Sequence, residues 1–205
     1  MGQRAVVVRV TGVKIDVWWD LIERARAAVG ERADDRDPPG DPLVPVLTTL
    51  LSELEAAEII AFAQLLIRVR DSAYRWPLWN AAQLIEGGCG DDGFRDFRGG
   101  LVLLGRTTFT RAVADPDSLA ELPVVARMSR EEQGWIGCED LSYAPREAYG
   151  RVQGETDSFD AVMEATVPGL DRPGRPAGEN WDVDDEEETR RRLPRLAALF
   201  IDQES

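Results

Sequence analysis

Histidine is absent from this chain of 205 residues, lysine occurs once, at Lys14, and cysteine only twice, at Cys89 and Cys138. The missing imidazole excludes the commonest general base, every Ser-His or Cys-His catalytic pair and every His-containing metal site. Two cysteines without histidine cannot complete a structural zinc site, so neither a metal nor a cofactor is expected. Long apolar runs are also lacking: Ile59 to Phe62 meets Gln64 and Arg68 almost at once, far short of the ~20 residues a membrane-spanning helix needs. Met1 to Val10 carries neither the basic start nor the long apolar stretch of a secretory signal, which makes a cytoplasmic location the expectation.

Positive charge is scarce relative to negative. The 24 basic residues face 38 acidic ones for a net charge of −14, a field that repels phosphate backbones and anionic lipid surfaces. Nucleic acid and membrane are therefore not expected partners, whereas a basic protein or peptide is.

What is present reads as helix. Trp18, Leu21, Ile22, Ala25 and Val29 recur three and four apart, with Asp16 as a possible cap and Gly30 as the stop. Glu31 to Asp41 reads as a charged, proline-containing loop, and Asp41-Pro42 opens a helix to about Leu51. Ser52 and Glu55 have capping-box spacing, and Leu54, Ile59, Phe62, Leu66 and Val69 predict a central core helix from about Glu53 to Tyr74. Further helices are predicted from Trp76 to Ile85, ended by Gly87-Gly88, and from Asp91 to Leu104. Beyond Phe109 the pattern allows short helices at Asp115-Pro116, Glu139 to Val152, with Leu141, Tyr143, Ala148, Tyr149 and Val152 as its buried candidates, and Ser158 to Ala165, a linker from Pro168 to Gly178, and a last helix from near Asp184 that Pro194 kinks. The β-branched stretches Ala5 to Val10 and Val13 to Val17 predict a short N-terminal β element. The expected architecture is mainly α: an extension over residues 1–14 and one compact helical domain over residues 15–205.

Chemistry-bearing residues concentrate in Glu86 to Arg98, EGGCGDDGFRDFR. Asp91 and Asp92 are candidates for an acid and base pair or a hard-cation site, and Arg98 for an anion clamp. The structural alternative has the glycines ending one helix, Asp91 capping the next and Cys89 filling an apolar gap. Cys89 precedes a helix start, but Glu86, Asp91 and Asp92 push its pKa upward, which argues against a nucleophile. Arg98 falls four after Phe94 and three before Leu101, beside the apolar face, and so needs a partner: Asp71, Glu86 or Asp92 inside the fold, or an anionic ligand. Tyr74-Arg75-Trp76-Pro77-Leu78-Trp79 is core packing, or a protein-binding patch if a tryptophan is exposed beside Arg75. Trp18 and Trp19 are neighbours on a helix, so one is expected in the core and the other at a rim. The acidic run Glu179 to Glu188 precedes Arg190, Arg191, Arg192 and Arg195, as a salt-bridged solvated face would.

The blocks WWDLIERARA at Trp18 to Ala27, AYRWPLWNAAQLIEGGCGDDGFRDFRGGLVLLGR at Ala73 to Arg106, ADPDSLAEL at Ala114 to Leu122 and RRLPRLAALF at Arg191 to Phe200 resemble the bacterial family catalogued as domain of unknown function 4240. The resemblance runs from about Ile15 to Phe200 and implies a mainly helical single domain, with no reaction attached. Gly87, Cys89, Asp91, Asp92, Phe94, Phe97 and Arg98 look like the family's hallmark block. Gly99-Gly100 departs from a bulkier residue expected there and leaves room for something else to pack.

The expected function is that of a cytoplasmic accessory or regulatory protein binding another protein or peptide through an acidic surface, with Tyr74, Arg75, Trp76, Trp79 and Cys89 as the binding candidates. The alternative is a histidine-free enzyme acting on a peptide or biosynthetic intermediate, using Asp91, Asp92 and Arg98.

Overall fold

The computed structural model describes residues 14–35, 41–131, 134–170 and 173–202. Its helices are α1 (Ile15–Val29), α2 (Leu43–Leu51), α3 (Ala56–Ser72), α4 (Trp76–Glu86), α5 (Asp91–Leu103), α6 (Arg106–Ala114), α7 (Pro123–Glu131), α8 (Ala144–Gln153), α9 (Asp157–Thr166), α10 (Glu186–Arg192) and α11 (Pro194–Phe200). The mainly helical expectation holds. Among the described residues there is no strand, only one isolated bridge between Arg75 and Ala177.

Ala5 to Val10 of the predicted β element, and Val13, lie outside the described residues. The remainder of its second half is corrected to helix: Lys14 is the N-cap of α1, and its carbonyl accepts the Trp18 N–H at 3.0 Å. A β-branched run with no strand beside it has no ladder to join, so the adjoining 3.6-residue period absorbs it. Trp18 and Trp19 are both buried, which corrects the expected division between core and rim. Their rings meet edge to face at 4.8 Å; Trp18 stacks on Phe62 of α3, and Trp19 packs against Phe109 of α6. Elements on two sides of α1 thus widen its buried stripe to take in both indoles.

The most enclosed helix is α5 rather than the predicted α3. Phe97 to Gly105 are buried without interruption, whereas α3 keeps Arg68 and Ser72 exposed. The α5 helix touches α1, α3, α4 and α6, and its two interior glycines admit a further neighbour. An alanine Cβ at Gly100 would stand 1.6 Å from the Ile136 carbonyl oxygen, and one at Gly99 would stand 2.9 Å from that of Cys138. The segment Gly134 to Cys138 is the something else that packs there. Ile136 is fully buried, and the Cys138 N–H bonds the Asp96 carbonyl of α5 at 2.9 Å.

Caps fall within one to three residues of their predicted places. Ser52 closes α2, and the capping box is formed by Glu55 and Glu58. Gly87 ends α4 in left-handed geometry, as the Gly pair predicts. The predicted linker is tied down over part of its length: Ala177 exchanges backbone hydrogen bonds with Tyr74 and Trp76 at 2.9 and 2.8 Å. Pro194 separates two helices instead of kinking one, and the buried Asp117 carboxylate accepts the Arg195 and Leu196 N–H groups that open α11.

Candidate functional site

The nominated acid, base and anion clamp do not converge. Asp91 is exposed at the first position of α5, where Gly90 is the N-cap, so the expected Asp91 cap is corrected. Its carboxylate still favours that helix end through the dipole. Asp92 is exposed as well and pairs with Arg95 at 3.2 Å. Arg98 turns inward. Its Nε donates to the Phe94 carbonyl at 3.2 Å and its Nη1 to the Arg70 carbonyl at 3.0 Å, with Asp71 at 3.8 Å. The guanidinium lies over the rings of Tyr74 and Phe94 at 4.8 and 4.9 Å. Of the internal partners expected for Arg98, Asp71 is the one found at this distance. Charge, hydrogen bonds and ring faces together satisfy a buried guanidinium, giving it a packing role.

The aromatic candidates form one column. Trp76 stacks on Trp79 at 5.1 Å and Trp79 on Phe94 at 4.8 Å, while Tyr74 tilts against both Trp79 and Phe94. Trp79 is buried, and its indole N–H donates to the Cys89 carbonyl at 2.7 Å. Tyr74, Arg75 and Trp76 are half-buried. Cys89 fills the apolar gap between α4 and α5, and burial together with the Glu86 carboxylate pushes its thiol up to about 12. Cys89 is therefore expected to resist iodoacetamide in the native protein at pH 8, and a peptide mass map showing it alkylated as fast as in urea would refute that.

Sequence reasoning passes over Trp135 and places Tyr143 and Val152 in the core; that is corrected, because Tyr143 and Val152 are exposed and Tyr143 lines a cleft with Trp135. Trp135 and Tyr143 are exposed by 39% and 55%, unusual for large apolar side chains in this structure. Both line a cleft of about 670 Å³ between the first turns of α2, the segment Gly134 to Cys138 and the exposed side of α8. Its edge carries Asp41, Glu139, Asp140 and Glu147 against one guanidinium, Arg151. Arg151 is held by Glu147 at 2.6 Å, so the cleft remains negative. The Tyr143 hydroxyl donates to Glu139 at 2.8 Å, which fixes the ring beside the carboxylates. Among the described residues no three carboxylates or thiols gather into a metal-ligand set.

Glu86 stands at the end of α4. Its Oε1 accepts the Gly137 N–H at 3.4 Å, while Oε2 is buried without a hydrogen-bond partner. Burial pushes this carboxyl up to about 7, opposed by the Gly137 N–H and the Cys89 thiol and reinforced by Asp96. A second cleft of about 660 Å³ opens here, lined by the end of α4, α7, Trp135 and the end of α11.

None of the described helices is long and apolar enough to cross a membrane. No curated protein and no solved structure matches the chain. Residues 14–151 match the family described as "Protein of unknown function (DUF4240)", a span that holds α1 to α7, most of α8 and the whole acidic cleft but leaves out α11. With two thirds of its length inside that match, the chain belongs to the DUF4240 family.

Proposed function

We propose that this protein is a cytoplasmic accessory or regulatory protein that binds a basic segment of another protein or peptide in the cleft between α2 and α8. The observation that carries this reading is the pairing of two exposed aromatic rings, Trp135 and Tyr143, with a surplus of carboxylates in one concave surface. A guanidinium or ammonium gains from both: carboxylates draw it in and ring faces hold it once it sheds water. The net charge of −14 steers such a partner toward the molecule from beyond contact distance. The enzyme alternative loses its basis, because Asp91 and Asp92 are solvated and Arg98 is spent inside the core.

Fluorescence anisotropy with a labelled oligoarginine peptide tests the reading. Tyr143→Ala and Trp135→Ala are each expected to weaken binding about fivefold, in line with loss of one cation–ring contact. Glu139→Gln with Glu147→Gln is expected to weaken it further, with a flatter salt dependence. Equal affinity of wild type and all variants, or equal affinity for an oligoglutamate control, would refute the assignment.

A further inference from the structure

The segment Gly134 to Cys138 supplies part of the acidic cleft through Trp135, Gly137 and Cys138. Its attachments are of two kinds. The buried Ile136 side chain and the Cys138 N–H on the Asp96 carbonyl, at 2.9 Å, hold it by groups that do not titrate. The Gly137 N–H is held instead by Oε1 of Glu86, at 3.4 Å, a group that can lose its proton. Gly137 is also where the indole rests: a Cβ there would stand 2.5 Å from Trp135 Nε1 and 3.3 Å from two carbons of the ring. One glycine thus meets Glu86 through its amide and Trp135 through its Cα.

The surroundings of Glu86 suit a neutral carboxyl. Its Oε2 is buried without a hydrogen-bond partner, so ionisation places charge on an oxygen that no donor meets. The groups that face it are the Cys89 thiol, from the turn between α4 and α5, which favours the ionised form, and Asp96 of α5, a like charge that opposes it. Burial dominates both and lifts the carboxyl to about 7. Water is reached through the second cleft, which Glu86 lines together with Arg130 of α7, while α11 contributes the uncharged Leu199 and Phe200. A carboxylate that turns that way is hydrated and gives up the Gly137 N–H.

We propose that Glu86 is a pH-sensitive latch on the acidic cleft: protonated, it holds Gly137 beneath the Trp135 indole and the cleft takes its basic partner; ionised, it turns to water, frees Gly137 and loosens Trp135. This rests on the binding reading of the acidic cleft given above and adds its regulation. The sign follows from linkage. The binding-competent form keeps the proton, so affinity falls as pH rises through the Glu86 value of about 7. The loss is limited to what Trp135 contributes, about fivefold.

Anisotropy with the labelled oligoarginine peptide at pH 6 and pH 8.5 decides it, since arginine keeps its charge at both. Wild type is expected to bind about fivefold more weakly at the higher pH. Glu86→Gln, which cannot ionise, is expected to bind equally at both. Trp135→Ala is expected to bind weakly at both, because the latch acts through the indole. Hydrogen exchange on the wild type gives a reading that needs no variant: the Gly137 amide is expected to lose protection between the two pH values beyond the intrinsic rise in exchange rate, while the Cys138 amide keeps its own. Clear binding of wild type that is equal at both pH values, or tighter at the higher one, overturns the latch and leaves the acidic-cleft reading standing. A fall in affinity that persists in Glu86→Gln or in Trp135→Ala belongs to other groups and overturns the latch too. No binding at either pH overturns the acidic-cleft reading and this inference with it.

Discussion

Gly100→Ala is expected to destabilise the protein by about 3 kcal/mol or to eject the segment Gly134 to Cys138 from its seat. On a bare helix the same change would stabilise by up to about 1 kcal/mol, so even the sign is diagnostic. The added methyl would fall 1.6 Å from the Ile136 carbonyl oxygen and 2.6 Å from its carbon. Those are backbone atoms, unable to swing aside as a lysine end would. Their segment is held by the buried Ile136 side chain and by the Cys138 N–H on Asp96. Gly99→Ala meets the Cys138 carbonyl oxygen at 2.9 Å, so a shift of a few tenths of an ångström relieves it. Its expected cost is smaller, about 1 kcal/mol. Urea denaturation reads the stabilities, and hydrogen exchange at the Gly137 and Cys138 amides reads the seating. A Gly100→Ala protein as stable as wild type, with those amides still protected, would mean that the glycine pair does not hold the segment. Loss of the seat would also strip Trp135 from both clefts, so stability and peptide binding are expected to fall together.

Helical spacing made most of the fold legible, and its errors share one cause. A period identifies a face, but the breadth of that face is set by what packs on it. Trp18 and Trp19 are both buried because α3 and α6 approach from different sides. The α5 helix reads as ordinary and amphipathic, and only the Ile136 carbonyl sitting against Gly100 explains its enclosure. Gly99-Gly100 was the one local sign that a neighbour comes close, and it named no neighbour. The site was less legible. Asp91 and Arg98 are seven apart on one helix and share a face by period, but they stand about two turns, or ~10 Å, apart. Arg98 ends its reach at the Phe94 ring. Trp135 gave no signal, since it lies in a glycine-flanked segment without periodicity, and its exposure depends on where that segment is clamped. Asp41, Glu139 and Glu147 join one cleft only because α2 packs against α8. An inward Arg98 satisfied within the core was readable from its spacing alone, because a buried guanidinium must be paired wherever it sits.

Glu86→Gln is expected to change how stability depends on pH, and the direction follows from which state holds the proton. In the folded protein burial lifts the Glu86 carboxyl from 4.5 to about 7. Between those values the unfolded chain is ionised and the folded chain keeps its proton, so unfolding releases a proton and rising pH favours it. Wild-type stability therefore carries a loss that is absent below pH 4.5, grows through the interval and is complete above about pH 7. Its limit is on the order of 3 kcal/mol. The neutral amide that replaces the carboxyl in the variant does not titrate. Any fixed cost of placing its NH₂ where Oε2 lies is the same at every pH and drops out of the slope. The groups facing Glu86 do not reproduce this effect. The Cys89 thiol stays protonated across the interval, because burial holds it at about 12. Asp96 is also raised by burial, offset by Arg95, but it is present in both proteins. Urea midpoints for wild type and variant, taken at half-unit steps, should differ by a constant below pH 4.5. They should then diverge in the variant's favour up to about pH 7 and run parallel above it. Parallel curves across the whole range would show that Glu86 reaches solvent in the folded protein. Its Oε2 would then not be buried, and the Gly137 N–H would be held by a solvated carboxylate rather than by the floor of the second cleft.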